Sequence, residues 1–584
     1  MSTVSAVVPS FLCGFASLHE ILLVSVRSHL RLALVALVTM AVVGALLIFL
    51  FPGSPEQDVD YHFLMARTAW VDHSYFVDVW GRPLFTTLFA PVALLGFIPA
   101  RFFALAISVA AAWQTYRLAC DLRMSCAWLV FPFLLGQQTF FELYSNLFTE
   151  PLFALVLVVA LRCHISGRIN LGMLVASLLP LARPEGVFVC LFWGLWVAFD
   201  VWRLEFGVRR LADGERGDGR ERVESSEGQT SPCRLELPTS PRRLGSGKLR
   251  RTGQEATSDW PSTARILSRL GSIVILATGV VAWWFAALLL TGDPLFILHN
   301  WPATWHTDMY GHGTFLSYAQ RAQEFAGVVL VIPFVVGLFR GFRSRSFSLI
   351  TSVFLVLFLL HSIFVKYGLF GEAGFPRYMV SVAPAIAVLT LEGWNTIFSV
   401  SILRRFTIVM GWVVVIFSVL QSVHYLDSMI WARDAVAIDD LDREWDREWT
   451  RIGNREWTRM DANKSIRGLI WSNGRMCIDL NRNLKNSPPT GNRENLFALL
   501  EKAPEGTVVF WDNEIGPNWF GTTAAEIESR GYKLLTSRYY SLPALIFPPG
   551  RFPWIAWLFP PIRSREIELS LLQKGPRMDT NAHE

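Results

Sequence analysis

The sequence predicts a polytopic α-helical membrane protein that ends in a small α/β domain. Three observations carry this. The 584 residues are 52% hydrophobic and only 17% charged, with a mean hydropathy of +0.36, which is far from the balance of a soluble enzyme. Apolar runs near the ~20 residues needed to span a bilayer recur along the first 425 positions. After Ser465 that pattern gives way to short mixed elements.

The apolar runs are 31–51, 101–118, 125–141, 147–162, 169–182, 186–203, 268–291, 324–340, 346–366, 378–396 and 405–424. They give about eleven transmembrane helices, because hydrocarbon satisfies no unpaired backbone group. Pro83–Phe97 is apolar but short and carries Pro91, so it reads as a helix at the interface. The basic clusters Arg117/Arg123, Arg162/Arg168, Arg203–Arg269, Arg340/Arg343/Arg345 and Arg404/Arg405 then fall on one side. The positive-inside tendency makes that side the cytoplasm. The expected order is a cytoplasmic segment 1–30, a transmembrane domain 31–425 and an extracytoplasmic domain 426–584. A bacterial inner membrane with a periplasmic C-terminal domain is the expected setting. Within the transmembrane domain, 52–100 and 292–323 are exterior loops, and the Arg-, Glu-, Gly- and Ser-rich stretch 204–267 is a disordered cytoplasmic insert.

Val7–Val26 is interrupted by Pro9, Gly14, His19 and Glu20. It reads as an amphipathic surface helix, not a cleaved signal. Of the seven cysteines only Cys477 falls in the exterior regions, so no exterior disulfide within one chain is expected. The net charge of +5 lies largely in cytoplasmic loops. It suits anionic lipid headgroups as partners and not nucleic acid.

The C-terminal domain opens with three REW copies, Arg443–Trp445, Arg447–Trp449 and Arg455–Trp457. The first two put their Trp residues on one helix face, either on headgroups or against the domain itself. Beyond Ser465, Asn495–Lys502 and Thr522–Ser529 read as helices, and Gly506–Trp511 and Tyr532–Leu535 as strands. Leu542–Pro561 holds six prolines and reads as interfacial or re-entrant.

The chemistry starts at Asp58-Val59-Asp60, just outside the first span. Carboxylates beside a bilayer are costly unless they bind a cation or react. Asp58 and Asp60 are candidate catalytic bases for a hydroxyl, and candidate ligands of a divalent cation (Mg or Mn). The bland reading makes Asp58 a helix cap and Asp60 a solvated first-turn acid. Arg82, ahead of the interfacial helix, is a candidate phosphate grip or a headgroup anchor. Arg101 opens the second span, Glu142 follows the third, and Glu150 starts the fourth with no charged neighbour in sequence. Glu150 is a third catalytic candidate; the alternative is a structural pair with Arg101. Arg183 and Glu185 either pair across a turn or line a polar cavity shared with Asp58. The loop 292–323 supplies His299, Trp301, Trp305, His306, Asp308, Tyr310 and His312. These residue types read a sugar, form an aromatic belt, or bind a metal through His306, Asp308 and His312. Lys366, Glu372, Arg377 and Tyr378 gather at the outer ends of later spans, with Arg377 a candidate for a lipid phosphate or a snorkelling anchor.

These motifs together resemble a known group. D-x-D-Y-x-x-x-x-A at Asp58, Trp80-Gly81-Arg82-Pro83-Leu84, Arg101 and Thr149-Glu150-Pro151 resemble the GT-C glycosyltransferases, nearest the protein O-mannosyltransferase and aminoarabinose-transferase-like enzymes. Arg183-Pro184-Glu185-Gly186 is similar to a turn of lipid-linked mannosyltransferases. The resemblance covers about 1–200 well and 268–425 in topology only. It implies transfer of a sugar from a polyprenyl-phosphate donor to a hydroxyl of a lipid, glycan or protein acceptor, with inversion. Asp58 is then the base and Asp60 its helper or a cation ligand. Arg82, Arg101, Arg183, Glu185, His306, Tyr310, Arg377 and Tyr378 then contact substrate. The chain departs from the group at Val59, usually Glu, and at Arg82, usually His. A lipid-linked glycan flippase and a non-catalytic scaffold of the same fold are the competing functions. The sequence shows neither internal repeats nor a mid-membrane acid cluster for the first.

Overall fold

The structure is a computed structural model. It describes residues 30–50, 57–199, 271, 273–302, 305, 311–372, 374–399, 409, 411, 413, 437–438, 440–441, 443, 469–471, 474–479, 484, 493–513, 515–545 and 562–575. The expected 204–267 insert, the REW copies beyond Arg443, and His306, Asp308 and Tyr310 lie outside these residues, as does nearly all of 405–424.

Five described helices are long and apolar enough to cross a membrane: Leu30–Leu50, Phe97–Asp121, Ile273–Thr291, Ser346–Tyr367 and Pro376–Ile397. They coincide with five of the predicted spans, and this is an integral membrane protein. Leu30–Leu50 (α1) turns Val35, Val38, Val42, Leu46 and Phe49 outward, as a lipid-facing helix does. Other predicted spans form shorter pieces. Residues 125–141 break into a 3-10 turn and the helices Val130–Leu135 and Gln138–Leu143. Pro132, Gly136 and the polar pair Gln137-Gln138 interrupt the run.

Gln57–Thr68 (α2) carries the acidic motif. Pro83–Ala93 (α3) follows with proline in its first turn. Its 11 residues reach about 16 Å, roughly half of a hydrocarbon core, so it does not span. Phe97–Asp121 (α4) packs along Glu150–Ile165 (α5). Val331–Arg343 (α6) lies beside Ala383–Ile397 (α8), and Arg345–Tyr367 (α7) joins them. A Cβ at Gly337 would stand 1.7 Å from Leu389 O, and one at Gly393 1.7 Å from Pro333 O. The two backbones meet there, the close approach that small residues permit between membrane helices.

The C-terminal module holds a four-stranded sheet of β1 (Leu469–Trp471), β2 (Val508–Asp512), β3 (Tyr532–Leu545) and β4 (Ile562–Lys574) in the order β1-β2-β4-β3. β1 and β2 are parallel and the other pairs antiparallel. The predicted helices appear as Arg493–Lys502 and Ala524–Glu528, the second closed by a Thr523–Glu526 capping box. Leu542–Leu545 extends β3, paired to Ile562–Arg565; the rest of the segment Leu542–Pro561, read as interfacial or re-entrant, lies outside the described residues. β4 was not anticipated. Its Ile567, Leu569, Leu571 and Leu572 are buried, an alternation that the preceding prolines obscured.

The module and the bundle share a core. Phe63 and Leu64 of α2 belong to one buried cluster with Cys477, Val508 and Leu571. The helix Gly474–Asp479 (α9) lies against α2, and a Cβ at Gly474 would be 2.9 Å from that of Asp60. Leu484 N–H donates to Thr68 Oγ1 at 3.1 Å.

Candidate active site

A cavity of about 430 Å³ opens among α2, the Trp80–Arg82 turn, the start of α5, the Arg183–Glu185 turn and the end of α7. Ten residues singled out from sequence line it: Asp58, Arg82, Glu150, Arg183, Glu185, Trp301, Trp305, Glu372, Arg377 and Tyr378. Positions spread over 320 residues of chain meet here.

Asp58 sits in the first turn of α2, and its Oδ2 accepts from Arg377 Nη2 at 2.6 Å. The Arg377 guanidinium lies over the rings of Phe375 (4.9 Å), Phe148 (5.4 Å) and Tyr378 (5.6 Å), which hold its plane. Asp58 keeps 37% of its side chain open, yet the surrounding protein raises its pKa. Desolvation, aided by Glu150, pushes the carboxyl up to about 6, while Arg82 and Arg183 pull against this. The contact with Arg377 also favours the ionised form.

The other acids are taken. Arg183 Nη1 reaches Glu150 Oε1 at 2.6 Å and donates to Thr149 Oγ1 at 3.0 Å. Its Nη2 and Nε donate to Glu185 Oε1 at 2.7 and 3.0 Å, and Tyr378 lies under its guanidinium at 5.2 Å. The alternative reading of Glu150, a structural pair with Arg101, is corrected: Arg183 is its partner. The two readings of Arg183 and Glu185 are both realised, since they pair across their turn and also line the cavity. Glu372 accepts from Tyr318 OH and meets His361 Nδ1 at 2.9 Å, and His361 stacks on Tyr378 at 5.2 Å.

Arg82 donates Nη1 to Val79 O at 2.7 Å and lies over Trp305 at 5.3 Å. Its φ of +59° is a strained backbone for a residue with a Cβ. Asp78 holds this turn, accepting from Gly81 N and from Asn300 Nδ2, each at 2.6 Å. Trp301, Trp305 and Phe370 form an apolar wall.

Asp60 and Arg101 do not line the cavity. Residues two apart on a helix point about 200° apart, so α2 turns Asp58 to the cavity and Asp60 to the C-terminal module. Arg101 is buried and donates Nε to Ser145 O at 3.2 Å. The phase of α2 thus turns the two carboxylates to different sides. The remaining cavity carboxylates are engaged by guanidinium, imidazole or hydroxyl groups. Among the described residues no three His, Cys, Asp or Glu side chains are grouped to hold a metal. No step is routed through a cation. Glu142 accepts from Gln138 Nε2, away from the cavity lining.

Sequence reasoning missed His62 and His361, both on the cavity wall. His361 stands alone in an apolar span, the same signal that selected Glu150. His62 lies four residues beyond Asp58, the spacing of one helix face.

Neither a protein-family model nor a curated protein matches the chain. Solved structures do. The apo crystal structure of ArnT from Cupriavidus metallidurans matches with a TM-score of 0.51 at 12% identity, over 92% of this chain and 97% of that one. This chain has the ArnT fold. That is the GT-C fold implied by the sequence resemblance. A second structure of the same ArnT, bound to undecaprenyl phosphate, gives a TM-score of 0.47 at 10% identity over the same shares. The likeness to ArnT concerns the fold, and each side-chain role here rests on this chain's own geometry.

Proposed function

We propose that the chain is a membrane glycosyltransferase that moves a sugar from a polyprenyl-phosphate donor to an acceptor hydroxyl on the extracytoplasmic face. The observation that carries this is the 2.6 Å contact between Asp58 and Arg377 in a largely apolar cavity. A base and a phosphate-binding cation there stand side by side. The ArnT fold and the sequence motifs support the same reading.

Donor binding brings a phosphate against Arg377, with Arg82 as its second guanidinium. Arg377 then exchanges one carboxylate oxygen for phosphate oxygens and leaves Asp58 facing the acceptor. The acceptor hydroxyl oxygen attacks the anomeric carbon, and its proton passes to Asp58. The bond from that carbon to the phosphate oxygen breaks, and its electron pair leaves on the lipid phosphate. The guanidiniums stabilise that charge. One displacement inverts the anomeric centre. Glu150 and Glu185 hold Arg183, which sets the field around Asp58 without touching the reacting atoms. The aromatic wall of Trp301, Trp305 and Phe370 suits the apolar tail of the donor.

The test is transfer of labelled sugar from polyprenyl-phosphate donors in proteoliposomes of the full chain. The proposal expects transfer by the wild type and a loss of about 10²–10⁴-fold in Asp58→Asn, the usual share of a general base. Absence of transfer from every donor, or equal transfer by both proteins, contradicts it.

A further inference from the structure

Arg82 reaches the cavity from a strained turn. Its φ of +59° and ψ of 100° fall outside the main regions open to a residue with a Cβ. Such a residue persists only where its surroundings hold it. Asp78 Oδ1 accepts from Gly81 N–H at 2.6 Å, and Thr86 Oγ1 donates to Gly81 O at 2.8 Å. Asp78 Oδ2 accepts from Asn300 Nδ2 at 2.6 Å. A carboxylate only accepts, so this contact fixes which way the Asn300 amide points. The residue after Asn300 is Trp301, where the aromatic wall starts. Val77 and Val79 of the turn share an apolar cluster with Trp283 and Ala287, and Trp301 and Trp305 pack against it. Trp283 Nε1 donates to Val77 O at 2.9 Å, and the Arg82 guanidinium lies over Trp305. The turn and the wall are thus one packed unit, and the Asp78–Asn300 contact ties two segments 222 residues apart in sequence.

We infer that Asp78 and Asn300 are positioning residues that aim Arg82 at the phosphate of a polyprenyl phosphate. Neither lines the cavity, so each acts through Arg82. Arg82 is close enough for its charge to act on the Asp78 carboxylate. With Asn300 in place, both Asp78 oxygens are engaged and the guanidinium is left to the cavity. An oxygen freed of Asn300 competes with the phosphate for that guanidinium. The inference rests on the reading of the cavity as a polyprenyl-phosphate site, and the test separates the two.

The experiment measures binding of a polyprenyl phosphate, and of the matching polyprenol, to the full-length chain in detergent. A hydrogen bond to a charged group is worth about tenfold. The expected result is that wild type prefers the phosphate and that Asn300→Leu lowers this preference about tenfold, with polyprenol binding kept. Asp78→Asn/Asn300→Asp restores the preference at unchanged total charge. The exchanged amide then accepts from Gly81 N–H and donates to the carboxylate across the contact. In an Arg82→Gln background, Asn300→Leu has no further effect. A preference unchanged in Asn300→Leu overturns the inference. So does an equal loss of both ligands, which is what damaged packing alone would give, or an exchange variant as weak as the single one. A wild type with no preference for the phosphate removes the donor reading of the cavity together with this inference, whereas the other adverse results remove this inference alone.

Discussion

Arg183→Met removes one guanidinium from the point where three side chains converge. Arg183 reaches Glu150 at 2.6 Å, Glu185 at 2.7 Å and Thr149 at 3.0 Å, and the side chains of this Arg183–Glu150 pair are 6% and 3% exposed. Removing one partner of a buried ion pair costs about 3–5 kcal/mol, because the remaining charge is left uncompensated. Two carboxylates lose their cation here, so this range is a floor. At roughly 2–4 °C per kcal/mol for a cooperative unit, the thermal midpoint falls by about 6–20 °C. The assay is thermal unfolding of the full chain in detergent, followed by tryptophan fluorescence. The triple variant Arg183→Met/Glu150→Gln/Glu185→Gln, in which no charge is orphaned, should recover at least half of the loss. A fall worth less than about 1 kcal/mol, or a triple variant no more stable than the single one, would refute the reasoning.

Three further predictions follow from the geometry. Transfer declines as pH drops through about 6, since Asp58 must be ionised to take a proton and burial holds its pKa there; a rate that is flat from pH 5 to 8 would speak against Asp58. Asp60→Asn keeps most of the transfer that Asp58→Asn loses, because Asp60 faces the C-terminal module; equal losses in the same proteoliposome assay would reverse the assignment. Gly474→Val destabilises the chain by about 1–3 kcal/mol through overpacking, since its Cβ would meet that of Asp60 at 2.9 Å; unfolding scans read this directly.

Much of the site was legible in the sequence because it is built at helix ends. Asp58, Arg82, Glu150, Arg183 and Arg377 are charged residues placed where an apolar run starts or stops, and their cost in hydrocarbon marks them. The pairing among them was not legible. Glu150 and Arg183 meet across separate turns, and the alternative considered for Glu150 was Arg101, which also lies at a span end. Which acid of the D-x-D motif reaches the cavity depends on the phase of α2, and a shift of one residue in its start would rotate both by about 100°. His361 was overlooked because one polar residue barely changes the hydropathy of the span around it. The docking of α9 on α2 joins positions more than 400 residues apart in chain, and no local pattern encodes such a contact. In the module, the strands beside glycines were readable, whereas the second half of β3 was hidden by Pro543, which suits an edge strand.

In the proposed reaction Arg377 passes from Asp58 to the donor phosphate. A structure of the full chain in nanodiscs with a polyprenyl phosphate tests this most directly. The account predicts phosphate oxygens on Arg377 and Arg82, the Asp58 carboxylate released toward the acceptor side, and the lipid tail along Trp301, Trp305 and Phe370. A phosphate bound outside this cavity, with the Asp58–Arg377 contact intact, would contradict it.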